Sequence, residues 1–237
     1  MNDWFGFEVE DFIFEGKNAK VVFANESNRT NKWLFKTEYF GAFPDLEIEM
    51  LKQGYNLAHV DNSTRWCKDE DTDRQAKFAE YLHDKYGFDK KCVPVGMSCG
   101  GMQAIFLAAK YPHLTAALYI DAPVVNFLSC PAGLGAADNS MFKGFSESRN
   151  ISLTELLSFR NNPLDKIPEL VKNNIPIFLV CGDSDTCVPY EENGKLVYDA
   201  YKKAGCDISL VLKPGCDHHP HGLTDNTPII EFIKKYY

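Results

Sequence analysis

Short apolar segments alternate with amphipathic segments along most of the chain. Residues 5–15 alternate apolar and polar side chains, with a shift near Glu10 and Asp11, as is typical of half-exposed antiparallel strands. Later apolar runs are short and continuous, which indicates strands buried on both faces of a sheet. These runs predict strands at residues 20–24, 55–61, 92–96, 115–123, 175–182 and 207–213.

The segments between these runs have the character of helices. Pro44 in a first turn and Gly54 after a last turn bracket the first of them. The predicted helices cover residues 43–54, 73–87, 100–111, 190–204 and 227–237. Alternation of strand and helix predicts an α/β fold of three layers, in which helices cover both faces of a mostly parallel sheet with antiparallel N-terminal strands.

One interval departs from this alternation. Residues 124–174 separate two predicted strands by about fifty positions, more than a single crossover helix needs. The first part of the interval is rich in glycine, serine and asparagine. The second part has a capping box from Ser152 to Glu155 and a helix opened by Pro168. We therefore expect one domain over residues 1–237 with a small cap-like insertion at about 124–174.

Charge and composition exclude some classes of protein. The 237 residues carry a net charge of −8, whereas a nucleic-acid binder normally presents a basic face. No apolar run approaches the roughly 20 residues that span a bilayer, and the N-terminus has acids where a signal peptide has basic residues. Eight cysteines lack any C-x-x-C pair and are expected to be reduced. We expect a cytoplasmic protein that binds neither nucleic acid nor membrane.

The segment V-G-M-S-C-G-G at residues 95–101 centres on Ser98. It follows an apolar strand and precedes a helix-forming run, and this strand–turn–helix context is where a nucleophile elbow lies. Gly96 and Gly100 remove side chains that would collide in so tight a turn. The sequence therefore predicts Ser98 as a nucleophile at a helix N-terminus.

A serine nucleophile needs a base and an orienting acid, and two later loops supply candidates. G-D-S-D-T-C-V-P follows one strand and P-G-C-D-H-H-P-H follows the next. With these segments the chain resembles the α/β-hydrolase superfamily, whose acid typically lies in a G-x-x-D-x-x-V-P loop and whose histidine often follows G-x-x-H. The resemblance implies Asp185 as the acid, with Asp183 as the fallback, and His218 as the base.

The residue after the nucleophile is Cys99, whose backbone N–H is the expected first oxyanion donor. We expect the second donor in the loop from Asn25 to Lys36, although the H-G-G-G motif of one lipase branch is absent there. Dienelactone hydrolases have cysteine as the nucleophile. The glycine spacing favours Ser98 over Cys99.

Trp33, Lys36, Trp66 and His219 are the candidate substrate-binding residues. Tryptophan stacks on sugars or aromatic groups, and a lysine pairs with a carboxylate. Packing roles for both tryptophans and a solvated Lys36 are the alternative. We expect no metal site, because histidines 218, 219 and 221 in a single loop have a poor spacing for zinc.

The triad predicts a serine hydrolase that cleaves carboxylic esters without a cofactor. Its substrate would be a small-molecule ester or an acylated glycan. The tail around residues 218–229 and the segment 33–41 resemble bacterial esterase-like α/β-hydrolases found beside glycan-degrading enzymes. A peptidase of the prolyl-oligopeptidase kind and a noncatalytic binding protein with a hydrolase fold are the alternatives.

Overall fold

The computed structural model describes residues 2–237. Over this range nine strands form one mixed sheet, in the order β1-β2-β3-β5-β4-β6-β7-β8-β9. The strands are β1 Asn2–Trp4, β2 Phe7–Phe14, β3 Lys17–Val22, β4 Trp33–Lys36, β5 Asn56–Val60, β6 Val93–Met97, β7 Leu118–Asp121, β8 Ile177–Gly182 and β9 Ile208–Lys213.

The sheet is antiparallel at its N-terminal side and parallel elsewhere. β1, β2, β3 and β5 pair antiparallel in that order, and β5, β4, β6, β7, β8 and β9 pair parallel. The helices are α1 Asp45–Lys52, α2 Asp69–Tyr86, α3 Cys99–Lys110, α4 Phe142–Arg149, α5 Leu153–Leu156, α6 Ile167–Lys172, α7 Gly194–Ala204 and α8 Thr227–Tyr236. This architecture confirms the predicted α/β-hydrolase fold.

Alternate residues of the central strands face opposite helical layers. In β8, Phe178 and Val180 pack with α1 and α8, whereas Leu179 packs with α3, α6 and α7. In β4, Leu34 faces the α1 and α8 layer, and Phe35 packs against α2. Burial on both faces explains why these strands lack the alternating pattern of residues 5–15.

Several elements differ from the sequence-based expectation; α7, for example, begins at Gly194 and not at residue 190. The segment 33–36, expected to be a loop, is strand β4 between β5 and β6. Its four residues are too few for a recognisable pattern, and Lys36 gives the run a polar end. α2 begins at Asp69, earlier than expected, because the Asp71 carboxylate accepts the Lys68 backbone N–H and caps the first turn.

The segment between β7 and β8 contains α4, α5 and α6. Phe127 and Phe145 from this segment pack with Trp66 and with Met102 of α3. The segment therefore covers the beginning of α3. None of the helices within residues 2–237 combines the length and the apolar character needed to cross a membrane.

Candidate active site

The carboxyl ends of the parallel strands meet at one edge of the sheet, and the loops that follow them build the site. Ser98 follows β6, Asp121 ends β7, and Asp185 follows β8. His218 and His221 lie in the loop after β9. Ligands of open parallel sheets bind at this edge, so the topology itself gathers these side chains.

Ser98 occupies a sharp turn between β6 and α3. Its φ of 55° and ψ of −120° are rare for a non-glycine residue. A Cβ on Gly96 would lie 2.2 Å from the Gly100 carbonyl oxygen, and one on Gly101 would lie 2.6 Å from the Pro123 Cβ. A Cβ on Gly100 itself would meet the Glu38 Cβ at 3.2 Å, a less severe contact. Gly101, which the sequence analysis did not single out, is therefore also needed for close packing, more than Gly100.

The structure brings together the three residues predicted as a triad. His218 Nε2 lies 3.0 Å from Ser98 Oγ, and His218 Nδ1 lies 2.7 Å from Asp185 Oδ2. The Nδ1–H donates to the carboxylate, which leaves the Nε2 lone pair to accept the serine proton. This arrangement can activate a hydroxyl for attack on a carbonyl carbon.

Asp185 is fixed by the backbone of its own loop. Its Oδ1 accepts the N–H groups of Cys187 at 2.9 Å and Val188 at 2.7 Å, which leaves Oδ2 for His218. Asp183, the fallback acid, instead accepts the Gly215 N–H at 2.7 Å. Asp183 therefore ties the loop after β8 to the loop after β9, outside the triad.

The surroundings of His218 shift its pKa in opposite directions. Burial lowers the pKa, whereas the hydrogen bond to Asp185 and the charge of that carboxylate raise it. The balance leaves the pKa above its ordinary value. An imidazole that gains basicity in this way is a stronger acceptor for the Ser98 proton.

Cys99 is the first residue of α3, so its backbone N–H has no carbonyl one turn earlier to accept it. Its thiol is buried and lies within hydrogen-bonding reach of the Tyr39 hydroxyl. Burial raises the pKa of the Cys99 thiol to about 12, so the group is a neutral thiol at physiological pH. The backbone N–H of Cys99 is therefore suited to donate to an oxyanion, whereas its neutral thiol is not suited to act as a nucleophile.

The loop expected to hold the second oxyanion donor divides into two parts in the structure. Residues 25–32 lie in the connection from β3 to β4, and β3 runs antiparallel to its neighbour β5. They therefore lie at the amino edge of the parallel strands, across the sheet from Ser98. Residues 33–36 are β4 itself. The segment that reaches the site comes after β4 and includes Tyr39.

A cavity of about 330 Å³ opens over Ser98. Apolar side chains form much of its wall, and a guanidinium and three imidazoles provide polar groups. The lining residues are Tyr39, Ala42, Phe43, Arg65, Met97, Ser98, Cys99, Met141, Cys187, His218, His219 and His221.

Of the four candidate substrate-binding residues, His219 lines this cavity and the other three do not. Trp33 is fully buried and donates its indole N–H to the Asp89 carbonyl at 2.9 Å. Trp66 is buried edge-to-face against Phe145. Both tryptophans thus have the packing role given as the alternative.

Lys36 has neither of the roles considered for it. Its ammonium is buried and donates to the Glu47 carboxylate of α1 and to the Ala42 carbonyl. Lys36 shares with Leu34 the face of β4 that packs against α1, and its side chain is not among those that line the cavity. Ala42 lines the cavity, so Lys36 supports the wall from behind.

A polar network holds the loops after β4 and β5 against α3. The Glu38 carboxylate accepts from Asn62 at 2.9 Å and from Gln103 at 2.6 Å. The Gln103 amide also donates to the Arg65 carbonyl at 3.0 Å. This network places the backbone of Arg65 beside the site while its side chain stays exposed at the cavity.

Asp121 and His221 form a second carboxylate–imidazole pair that the sequence analysis did not predict. His221 Nδ1 lies 2.8 Å from Asp121 Oδ1, and Asp121 Oδ2 accepts the Gly222 N–H at 2.7 Å. Both side chains are almost completely buried. The sequence does contain a signal for this pair. Asp121 ends a buried apolar strand, and a carboxylate in such a place needs a hydrogen-bonding or charged partner.

The chain is similar to known proteins in sequence and in fold. The Prolyl oligopeptidase family matches residues 51–237. Porphyromonas gingivalis dipeptidyl peptidase 4 has a similar fold, with a TM-score of 0.68 and 16% identity, over 97% of this chain and 34% of that one. Pyrococcus horikoshii acylaminoacyl peptidase matches with a TM-score of 0.68 and 16% identity, over 90% of this chain and 38% of that one. The chain spans about a third of the length of the solved chains it matches.

Proposed function

The chain belongs to the prolyl oligopeptidase family of serine hydrolases, and from that premise we propose that it cleaves acyl bonds of short peptides through Ser98. The contact that carries the proposal is the 3.0 Å approach of His218 Nε2 to Ser98 Oγ. Asp185 holds the imidazole in the required tautomer. The predicted ester-cleaving activity becomes the second candidate, because the family is one of peptidases.

In the proposed mechanism, His218 accepts the hydroxyl proton as Ser98 Oγ bonds to the scissile carbonyl carbon. The Cys99 N–H and the Tyr39 hydroxyl stabilise the oxyanion, and Tyr39 replaces the donor expected before residue 37. The support for Tyr39 is its place in the cavity wall beside Ser98 and Cys99. His218 then protonates the leaving amine as the C–N bond breaks, and a water molecule hydrolyses the acyl-enzyme by the same route.

The charges of the cavity bear on which peptides fit. Among its lining residues within the described chain there is no carboxylate that could bind a free α-amino group. Arg65 contributes a permanent positive charge instead. We therefore propose blocked or acidic short peptides as substrates, in preference to peptides with a free N-terminus.

Cleavage of a small carboxylic ester is favoured by the size of the cavity. A volume of about 330 Å³ is at the low end of the roughly 300–1,000 Å³ of small-molecule sites. Phe43, Met97 and Met141 add apolar surface suited to a short acyl chain. Peptide cleavage and ester cleavage therefore differ mainly in the leaving group, an amine in the first and an alcohol in the second, and less in the acyl group.

Matched amide and ester substrates distinguish them. We would measure kcat/KM for acetyl-alanine p-nitroanilide, alanine p-nitroanilide and acetyl-alanine p-nitrophenyl ester, together with p-nitrophenyl acetate, butyrate and octanoate. The peptidase proposal expects turnover of the blocked anilide above that of the free-amine anilide. Ester turnover without anilide turnover would favour the second candidate.

Ser98→Ala is the test of the nucleophile, with the exposed Ser158→Ala as the matched control. Loss of a triad serine typically lowers kcat by about 10⁴-fold or more. Equal rates for wild type and Ser98→Ala would refute both candidates. A folded wild type that fluorophosphonate does not label at Ser98 would instead point to a noncatalytic binding protein.

A further inference from the structure

Three imidazoles lie together in the wall of the cavity over Ser98. The ring centroids of His218, His219 and His221 are 4.8 to 5.0 Å apart in all three pairs. A ligand nitrogen from each lies within 4.8 Å of those of the other two. The spacing along the chain made such a cluster unexpected, yet the loop after β9 folds back so that all three rings converge.

The hydrogen bonds leave suitable nitrogens available. His218 and His221 each engage Nδ1 with a buried carboxylate, Asp185 at 2.7 Å and Asp121 at 2.8 Å. Each therefore keeps its Nε2 off the carboxylate, and in His218 that nitrogen lies 3.0 Å from Ser98 Oγ. A histidine whose far nitrogen donates to a carboxylate is the usual arrangement of a metal-binding imidazole, because the carboxylate fixes the tautomer and raises the basicity of the ligand nitrogen.

His219 is the adjustable member of the three. It is exposed, and its ring stacks on Phe43 with the centroids 5.7 Å apart. Nitrogens bound to one zinc ion at about 2.0–2.1 Å are about 3.3 Å apart in a tetrahedral site. The cluster must therefore contract by up to about 1.5 Å. Rotation of the exposed His219 side chain can shorten its distances to the other two rings, and binding also requires a smaller adjustment between His218 and His221.

We propose that His218, His219 and His221 form a reversible Zn²⁺ site that overlaps the triad and inactivates Ser98 while it is occupied. Imidazole ligands suit zinc, whereas calcium and magnesium prefer oxygen. A bound ion would take the Nε2 lone pair of His218, which then cannot accept the serine proton. A water molecule would complete the coordination. The inhibitory part rests on the proposed function, and the binding part does not.

Direct binding is tested on the Ser98→Ala variant, in which hydrolysis plays no role. Calorimetric titration with ZnCl₂ should show one ion per chain, and Co²⁺ should give the visible absorption of a nitrogen-ligated tetrahedral ion. Adding His219→Ala should weaken zinc binding at least about 10-fold, and adding Asp121→Asn should weaken it about 10- to 100-fold. Adding the remote His113→Ala should leave it unchanged.

Circular dichroism melting would establish that each variant is folded. Undiminished zinc affinity in Ser98→Ala/His219→Ala, or no binding at 1 mM ZnCl₂ in Ser98→Ala, would overturn the proposed site.

Inhibition is tested on the otherwise unaltered protein by the rate at which a fluorophosphonate labels Ser98. Zinc should slow labelling, EDTA should restore it, and His219→Ala should need at least about 10-fold more zinc for the same effect. Zinc that binds without slowing labelling would overturn the inhibitory role. Absence of labelling in EDTA would overturn the proposed function while the binding measurement still decides the site.

Discussion

Breaking the buried ion pair between Lys36 and Glu47 is expected to destabilise the fold without changing substrate preference. The side chains of the two residues are 2% and 1% exposed. Lys36 Nζ also lies 3.3 Å from the Ala42 carbonyl oxygen and 3.6 Å from the Met97 sulfur. A lysine that bound substrate carboxylate would instead need its ammonium in the cavity.

The expected magnitude follows from the burial of both charges. Glu47→Gln leaves the ammonium without its counter-charge, and removing one partner of a buried pair costs about 3–5 kcal/mol of unfolding free energy. At about 2–4 °C per kcal/mol for a domain of this size, Tm should fall by roughly 6–20 °C. Lys36→Met should cost a similar amount, because Glu47 Oε2 already lacks a partner within the described residues.

The double variant Lys36→Met/Glu47→Leu removes both charges and fills the space with apolar groups. Such replacements are often neutral or stabilising by about 1–4 kcal/mol. The double variant should therefore be at least nearly as stable as the wild type, although each single change is severe. The resulting coupling energy, about 5 kcal/mol or more, would measure the cost of leaving one charge alone.

Urea unfolding followed by tryptophan fluorescence gives the free energies. The matched control is Glu147→Gln, which breaks an ion pair with Lys143 whose partners are 68% and 87% exposed and should change stability by less than about 1 kcal/mol. In parallel, kcat/KM would be measured well below Tm for a neutral substrate and its carboxylate-bearing analogue. Unchanged stability in Lys36→Met with a selective loss for the carboxylated substrate would refute the structural role.

Two further predictions concern the elbow and the acid of the triad. Gly96→Ala should lower the unfolding free energy by more than about 3 kcal/mol or prevent folding, because its Cβ would lie 2.2 Å from a backbone oxygen. Ala at the exposed Gly144 of α4 should instead stabilise by up to about 1 kcal/mol. Asp185→Asn should lower kcat about 10⁴-fold through loss of the correct His218 tautomer, and Asp183→Asn should keep kcat near that of the wild type. Equal kcat losses in the two aspartate variants would contradict this assignment of the acid.

The sequence was most informative about reactive residues that directly follow parallel strands. Ser98, Asp185 and His218 each follow a recognisable apolar strand, and parallel strands bring such positions to one edge whatever lies between them. Their convergence could therefore be expected without knowing the packing. Asp121 also ends such a strand, but its partner His221 belongs to a loop whose path depends on tertiary contacts, so the pair could not be inferred from order alone.

The buried partner of Lys36, Glu47, leaves a signal in the sequence of α1. In α1 the buried residues are Leu46, Glu47, Met50 and Leu51, so a carboxylate lies within the apolar stripe of the helix. A buried acid at such a position requires a cation or a set of donors. Lys36, which follows the apolar residues 33–35, is the partner that the structure gives it.

The second oxyanion donor was expected in the loop Asn25 to Lys36 because strand β4 was not predicted. Order along the chain suggests that the loop after the strand at residues 20–24 faces the nucleophile, as it would in a sheet whose strands all run one way. Here β3 runs antiparallel to β5, so its carboxyl end points to the edge opposite Ser98. β4 runs parallel to β6, and the segment beginning at Thr37 is thus the first after β3 to reach the catalytic edge. Strand direction, more than distance along the sequence, decides which loop can supply a donor, and for this reason we propose Tyr39 in place of a donor from residues 25–36.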